Sequence, residues 1–110
     1  MYKILHIPTG NFIWIRFKLF STIEEVTDLT IDNWSSNTFG VYLGKRYLPS
    51  KALDTCSELY SEDKNFFISL IKDIRFLKFL ALDIYNISWL EDVIEIPSEE
   101  EFEIIEVKDV

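Results

Sequence analysis

Few side chains in this sequence are of types that do chemistry, and their spacing decides what each could do. His6 is the only histidine and Cys56 the only cysteine among 110 residues. A zinc site draws three or four ligands from His, Cys and carboxylates, and a lone histidine with no cysteine nearby in sequence lacks them. No metal site is expected, and His6 reads as a half-exposed strand residue. Cys56 and His6 would form a thiol–imidazole pair only if the fold joined them. Core packing is the expected role of the cysteine. A single cysteine makes no internal disulfide, which is compatible with a reducing compartment. The stretch GVYLGKR, residues 40–46, has two glycines and a basic pair but fits neither G-x-x-x-x-G-K-[ST] nor G-x-G-x-x-G. It reads as a tight turn with Lys45 and Arg46 in water. Gly-x-Ser-x-Gly, Cys-x-x-Cys and His-Glu-x-x-His do not occur. An enzyme is therefore disfavoured, with no catalytic residue, no cofactor-binding residue and no cofactor assigned.

Carboxylates are the one abundant chemical group, and they are unevenly placed. Residues 1–50 hold five Lys/Arg and four Asp/Glu, a balance of +1, whereas residues 51–110 hold six and fifteen, a balance of −9. From Asp83 onward there are ten carboxylates and one lysine, Lys108. Such a field repels nucleic acid and anionic lipid and favours a basic protein surface. A carboxylate pair works as general acid and base only where burial separates its two pKa values, and these residues fall mostly in turns and on outer faces. The residues expected to meet a partner are Trp89, Glu91, Asp92, Glu95, Glu99, Glu100, Glu101, Glu103 and Glu106. Direct nucleic-acid binding is not expected.

The elements that would position these groups follow from pattern and punctuation. Nearly half the residues are apolar, with nine Phe, five Tyr and three Trp, so the chain is expected to fold as a single domain over 1–110. YKILHI (2–7) and FIWIRFKLF (12–20) are β-rich and flank Pro8-Thr9-Gly10-Asn11, a hairpin signature. Phe12, Trp14 and Arg16 share one face of the second strand and Ile13, Ile15 and Phe17 the other, so both faces need cover. Ser21-Thr22-Ile23-Glu24 has capping-box spacing and predicts a helix from Thr22 to about Trp34. TFGVYLGKRYLP reads as a short strand, a loop, or both. A second helix is predicted over about 51–60, with Ala52, Leu53, Cys56, Leu59 and Tyr60 on one side.

A third and central helix is predicted to open after Ser61-Glu62-Asp63 and to run to Asn86. Its inward stripe would be Phe66, Phe67, Leu70, Ile71, Ile74, Leu77, Leu80 and Ile84, with a break near Arg75 or Leu82 as the alternative. EFEIIEV then predicts a strand over 102–107, with VIEI (93–96) as a second strand and Pro97 to Glu100 as the turn between them. The fold class is α+β: a small antiparallel sheet from the N-terminal hairpin and C-terminal strand(s), packed against about three helices. The charges interrupting FFISLIKDIRFLKFLALDIYNISWL exclude a membrane span, and the N-terminus lacks the pattern of a signal peptide, so a cytoplasmic protein is expected.

The opening YKILHIPTGNF and the closing FEIIEV resemble the two ends of small uncharacterised accessory proteins of tailed bacteriophages of the T4-like kind. The resemblance implies one sheet formed from the first hairpin and the last strand, with a helix after FSTIEEV (20–26). It also implies phage origin, location in the host cytoplasm and an accessory role that includes interference with a host protein. It carries over no catalytic residue.

Phe12, Trp14, Trp34, Phe39, Tyr42, Tyr47, Tyr60 and Trp89 exceed what one small core hides, so at least one exposed aromatic patch is expected. The expected function is a non-catalytic protein-binding module that inhibits or modulates a host protein with a basic surface through its acidic face, with nucleic-acid mimicry as a sub-case. Two alternatives stand beside it. One is a small structural or assembly protein that self-associates as a homo-oligomer; the other is an enzyme with an unrecognised carboxylate-based site.

Overall fold

A computed structural model describes residues 1–15, 23, 41–44 and 56–108. The hairpin forms as its turn residues dictate: β1 is Tyr2–His6, β2 is Asn11–Ile15, and Leu5 and His6 stand opposite Phe12 and Asn11. The turn closes by Gly10 N–H donating to the His6 carbonyl at 2.9 Å, with Gly10 at φ +70°. The period-two pleat buries Ile4, Ile13 and Ile15 on one face and leaves Phe12 and Trp14 half-buried on the other. GVYLG resolves to β3, Val41–Leu43, antiparallel to the outer edge of β2. Residues 16–20, the pair Lys45 and Arg46, and all of the first predicted helix except Ile23 lie outside the described residues; Ile23 is helical and packs against the core.

Past the Leu5–Phe12 pair, β1 and β2 diverge, and residues 57–61 fill the fork. There β4, Ser57–Glu58, pairs with Ile15 and Trp14, while β5, Tyr60–Ser61, pairs with Lys3 and Tyr2. Leu59 is buried between them and its N–H donates to the Ile13 carbonyl at 2.8 Å. This corrects the helix expected over 51–60, of which residues 51–55 lie outside the described region. The spacing of Cys56, Leu59 and Tyr60 suits a helix, but an open sheet fork offers ladder bonds and burial that outweigh local propensity.

The predicted central helix is two, broken just before Arg75, one of the two places the alternative reading gave. The first, α1, is Lys64–Leu70, started by Asp63, whose carboxylate accepts from Asn65 N–H at 2.9 Å. The second, α2, is Ile74–Ile84, started by Asp73 in the same way through Arg75 N–H at 2.9 Å. Burial by itself would raise the Asp73 carboxyl, but hydrogen bonds from the Arg75 side chain and backbone, with its charge, hold it below the ordinary range. The restart shifts the helix phase. Ile74, assigned inward by a continuous periodicity, is 58% exposed, while Phe76, Leu77, Phe79, Leu80 and Ala81 are buried. Asn86 at φ 55° ends α2, and Ile87 N–H caps the Leu82 carbonyl at 3.0 Å. Two α-helices, in place of about three, are therefore seen among the described residues.

VIEI (93–96) is also corrected: it adopts no regular structure and joins no strand among the described residues. The last strand, β6, Phe102–Glu106, runs antiparallel to β1 in five-residue register, from Tyr2–Glu106 to His6–Phe102. All six strands make one antiparallel sheet. Phe66, Phe67, Leu70, Phe76 and Leu80 cover its inner face over Ile4, Ile13, Leu43 and Phe102. The architecture is α+β. Among the described residues no helix is long and apolar enough to cross a membrane.

Gly44 closes β3 at φ +82° and donates to the Phe12 carbonyl at 3.0 Å. A Cβ there would come within 2.8 Å of Asn11 Cγ. Gly44→Ala combines left-handed strain with that contact and is expected to cost about 1–2 kcal/mol in urea denaturation. A loss below about 0.5 kcal/mol, the ordinary range of neutral surface changes, would contradict this.

Candidate interaction face

Glu101 is the residue through which the acidic C-terminal segment is joined to the hairpin. Ser98-Glu99-Glu100-Glu101 closes a capping box: Ser98 Oγ accepts from Glu100 N–H at 3.3 Å, and Glu101 Oε2 accepts from Ser98 N–H at 2.8 Å. The other carboxylate oxygen, Oε1, lies 3.1 Å from His6 Nε2, and the Glu101 carbonyl accepts from Ile7 N–H at 2.8 Å. A carboxylate only accepts, so Nε2 carries the shared proton. The opposite ring nitrogen, Nδ1, is 2.9 Å from Thr9 Oγ1, and the ring packs on Phe102 with centroids 5.0 Å apart. His6 is 1% exposed, not half-exposed as expected from sequence. It shares the inner face with Ile4, a placement that period two alone predicts.

Thr9, His6 and Glu101 thus line up as hydroxyl, imidazole and carboxylate, the order used in nucleophilic catalysis. The turn itself occupies the hydroxyl: Thr9 Oγ1 also lies 3.4 Å from the His6 carbonyl and from Asn11 N–H. With the imidazole sealed inside, the arrangement acts as a clasp between the hairpin turn and the start of β6. Cys56 is buried apart from His6, packed by Trp14 and Tyr42, so no thiol–imidazole pair forms. Among the described residues no three His, Cys, Asp or Glu side chains gather as metal ligands.

The other residues expected to meet a partner stand outside this clasp. Trp89 is 55% exposed, and Glu91 and Asp92 are exposed in a 3-10 turn, Leu90–Asp92, closed by Asp92 N–H on the Trp89 carbonyl. Glu95, Glu99 and Glu100 are exposed in the stretch leading to β6. Glu103 and Glu106 are exposed on β6, but the pleat sends them to opposite faces, Glu103 with Leu5 and Glu106 with Tyr2. The acid therefore wraps the β6 edge instead of lying in one plane.

Tyr85 borders the same region at the end of α2. Partial burial raises its hydroxyl pKa, and the charges of Glu101 and Glu95 raise it further, placing the ring in the field of both carboxylates. Sequence reasoning missed Thr9, Tyr85 and the structural role of Glu101, since the contacts that define them span up to 95 residues. No family model, curated protein or solved structure matches the chain.

Proposed function

We propose that this chain is a non-catalytic protein-binding module, an accessory factor of a tailed bacteriophage that acts in the host cytoplasm by docking on a basic surface of a host protein. The observation that carries the reading is the exposure of Glu91, Asp92, Glu95, Glu99, Glu100, Glu103 and Glu106, of which Glu103 and Glu106 stand on the strand paired with β1 and Glu99 and Glu100 in the capped turn that the His6–Glu101 contact joins to the hairpin. Charges on a fixed scaffold present one pattern to a partner, avoiding the ordering entropy that a mobile acidic tail would lose on binding. Phage origin is supported by the resemblance of YKILHIPTGNF and FEIIEV. The mode of action is occlusion, and where the host protein handles DNA or RNA, the carboxylates compete for its phosphate-binding groups.

Affinity capture from a bacterial host lysate, with mass-spectrometric identification, names the partner. Its dissociation constant should then rise about tenfold or more between 0.05 and 0.5 M salt. Replacing Glu99, Glu100, Glu103 and Glu106 together by Gln should weaken binding by a similar factor without lowering the unfolding midpoint. Affinity indifferent to both salt and these substitutions would contradict the proposal.

A further inference from the structure

The ladder that joins β6 to β1 fixes which of its peptide groups turn outward. Ile7 N–H donates to the Glu101 carbonyl and Val107 N–H to the Met1 carbonyl, so Glu101, Glu103, Ile105 and Val107 direct their peptide groups to β1. Phe102, Ile104 and Glu106 direct theirs to the other side. The Phe102 N–H is taken by the Glu99 carbonyl, which leaves the Phe102 carbonyl and both groups of Ile104 and Glu106 along that edge. Among the described residues β6 pairs with β1 alone, so it is an edge strand of the sheet. Such an edge is a template for one more strand.

Charge identifies the occupant. The edge reads Glu103-Ile104-Ile105-Glu106, with both glutamates exposed and both isoleucines half-buried. Because the glutamates take opposite faces of the sheet, a strand laid beside β6 meets one carboxylate on each of its own faces, three residues apart, with apolar side chains between. Cations directly opposite both carboxylates stabilise that pairing. A second antiparallel copy centred on Ile104 would instead set Glu103 opposite Ile105 and Glu106 opposite Phe102. It would also bring acid against acid, since the sequence has no Lys or Arg from residue 79 to 107. We infer that the outer edge of β6 receives an extended segment of the partner protein that carries two basic residues three positions apart around two apolar ones. This rests on the binding-module reading above and names the partner element that docks.

The test titrates the full chain with blocked decapeptides centred on Lys-Val-Val-Lys or on Val-Lys-Lys-Val, which share composition and charge, and with an oligolysine. The first should bind about fivefold more tightly than the second, because only its lysines come opposite Glu103 and Glu106. It should also slow amide exchange at Ile104 and Glu106, the outward amides, by about tenfold or more. The double variant Glu103→Lys/Glu106→Lys, at two exposed positions, should keep the unfolding midpoint, lose the preference for Lys-Val-Val-Lys and bind a Glu-Val-Val-Glu peptide instead. Equal binding of the two orders to the parent, or binding without protection of Ile104, overturns strand addition; salt-sensitive oligolysine binding would then leave the acidic-face reading standing. If no probe binds, both readings fall. A concentration-dependent dimer that protects Ile104 would make the occupant a second copy and overturn the inference.

Discussion

Glu101→Ala is expected to destabilise the chain by about 2–3 kcal/mol, lowering the thermal midpoint by roughly 10 °C. The substitution removes two bonds with one side chain. His6 Nε2 loses its acceptor in a site that is 1% exposed, and Ser98 N–H loses the oxygen that closes the capping box. A buried donor without a partner costs about 1–3 kcal/mol, and a lost cap about 1 kcal/mol, with partial overlap because Glu101 retains some contact with water. Glu101→Gln should cost less, about 1 kcal/mol, since its amide oxygen satisfies either His6 or Ser98 but its NH₂ group opposes the other. Urea denaturation of the three proteins ranks them directly. Equal stability of the alanine variant and the parent would show that the clasp contributes nothing.

The second large effect concerns Asp83 on α2, whose Oδ2 accepts from Leu43 N–H at 2.8 Å and so ties the helix to β3. Burial pushes its carboxyl from the ordinary 3.8 up to about 6, opposed in part by the Leu43 hydrogen bond. With the folded value above the unfolded one, the fold holds a proton that the unfolded chain releases. This stabilisation is whole below about pH 4 and is lost as pH rises through about 6. It amounts to about 2–3 kcal/mol at about 1.4 kcal/mol per pH unit. Asp83→Asn keeps an acceptor for Leu43 and never ionises. Relative to the parent, it should gain about 2 kcal/mol at pH 7.5 and nothing at pH 4, measured by urea unfolding at both values. Taking the difference between the two proteins cancels the titration of the other carboxylates. A difference independent of pH would refute the buried, ionisable state of Asp83.

The parts of the fold legible in the sequence were those written locally. Pro8 to Asn11 specify the hairpin turn, Asp63 a helix start, and Phe102 to Glu106 a strand whose apolar residues need a neighbour. Two features misled. Apolar spacing continues unbroken from Phe66 to Ile84, so periodicity favours one helix, and the break near Arg75, expected only as the alternative, is fixed by the capping bond that Arg75 N–H donates to Asp73. Cys56 to Ser61 carries helix-compatible spacing but is drawn into a sheet fork that exists only once β1 and β2 have diverged. Of the interaction face, the acid content was plain from composition. The inward turn of Glu101 toward His6 was not, because it joins residues 95 positions apart.

Amide hydrogen exchange of β6 tests the central claim that the carboxylates are carried on a fixed ribbon. Ile7 N–H donates to the Glu101 carbonyl at 2.8 Å and Val107 N–H to the Met1 carbonyl at 2.7 Å, bracketing the β1–β6 ladder at both ends. The account predicts slow exchange at Ile7 and at the ladder amides of β6, governed by the same opening free energy as Ile4 and Ile13 in the core. Exchange at these sites as fast as in an unstructured peptide, with the core still protected, would contradict it.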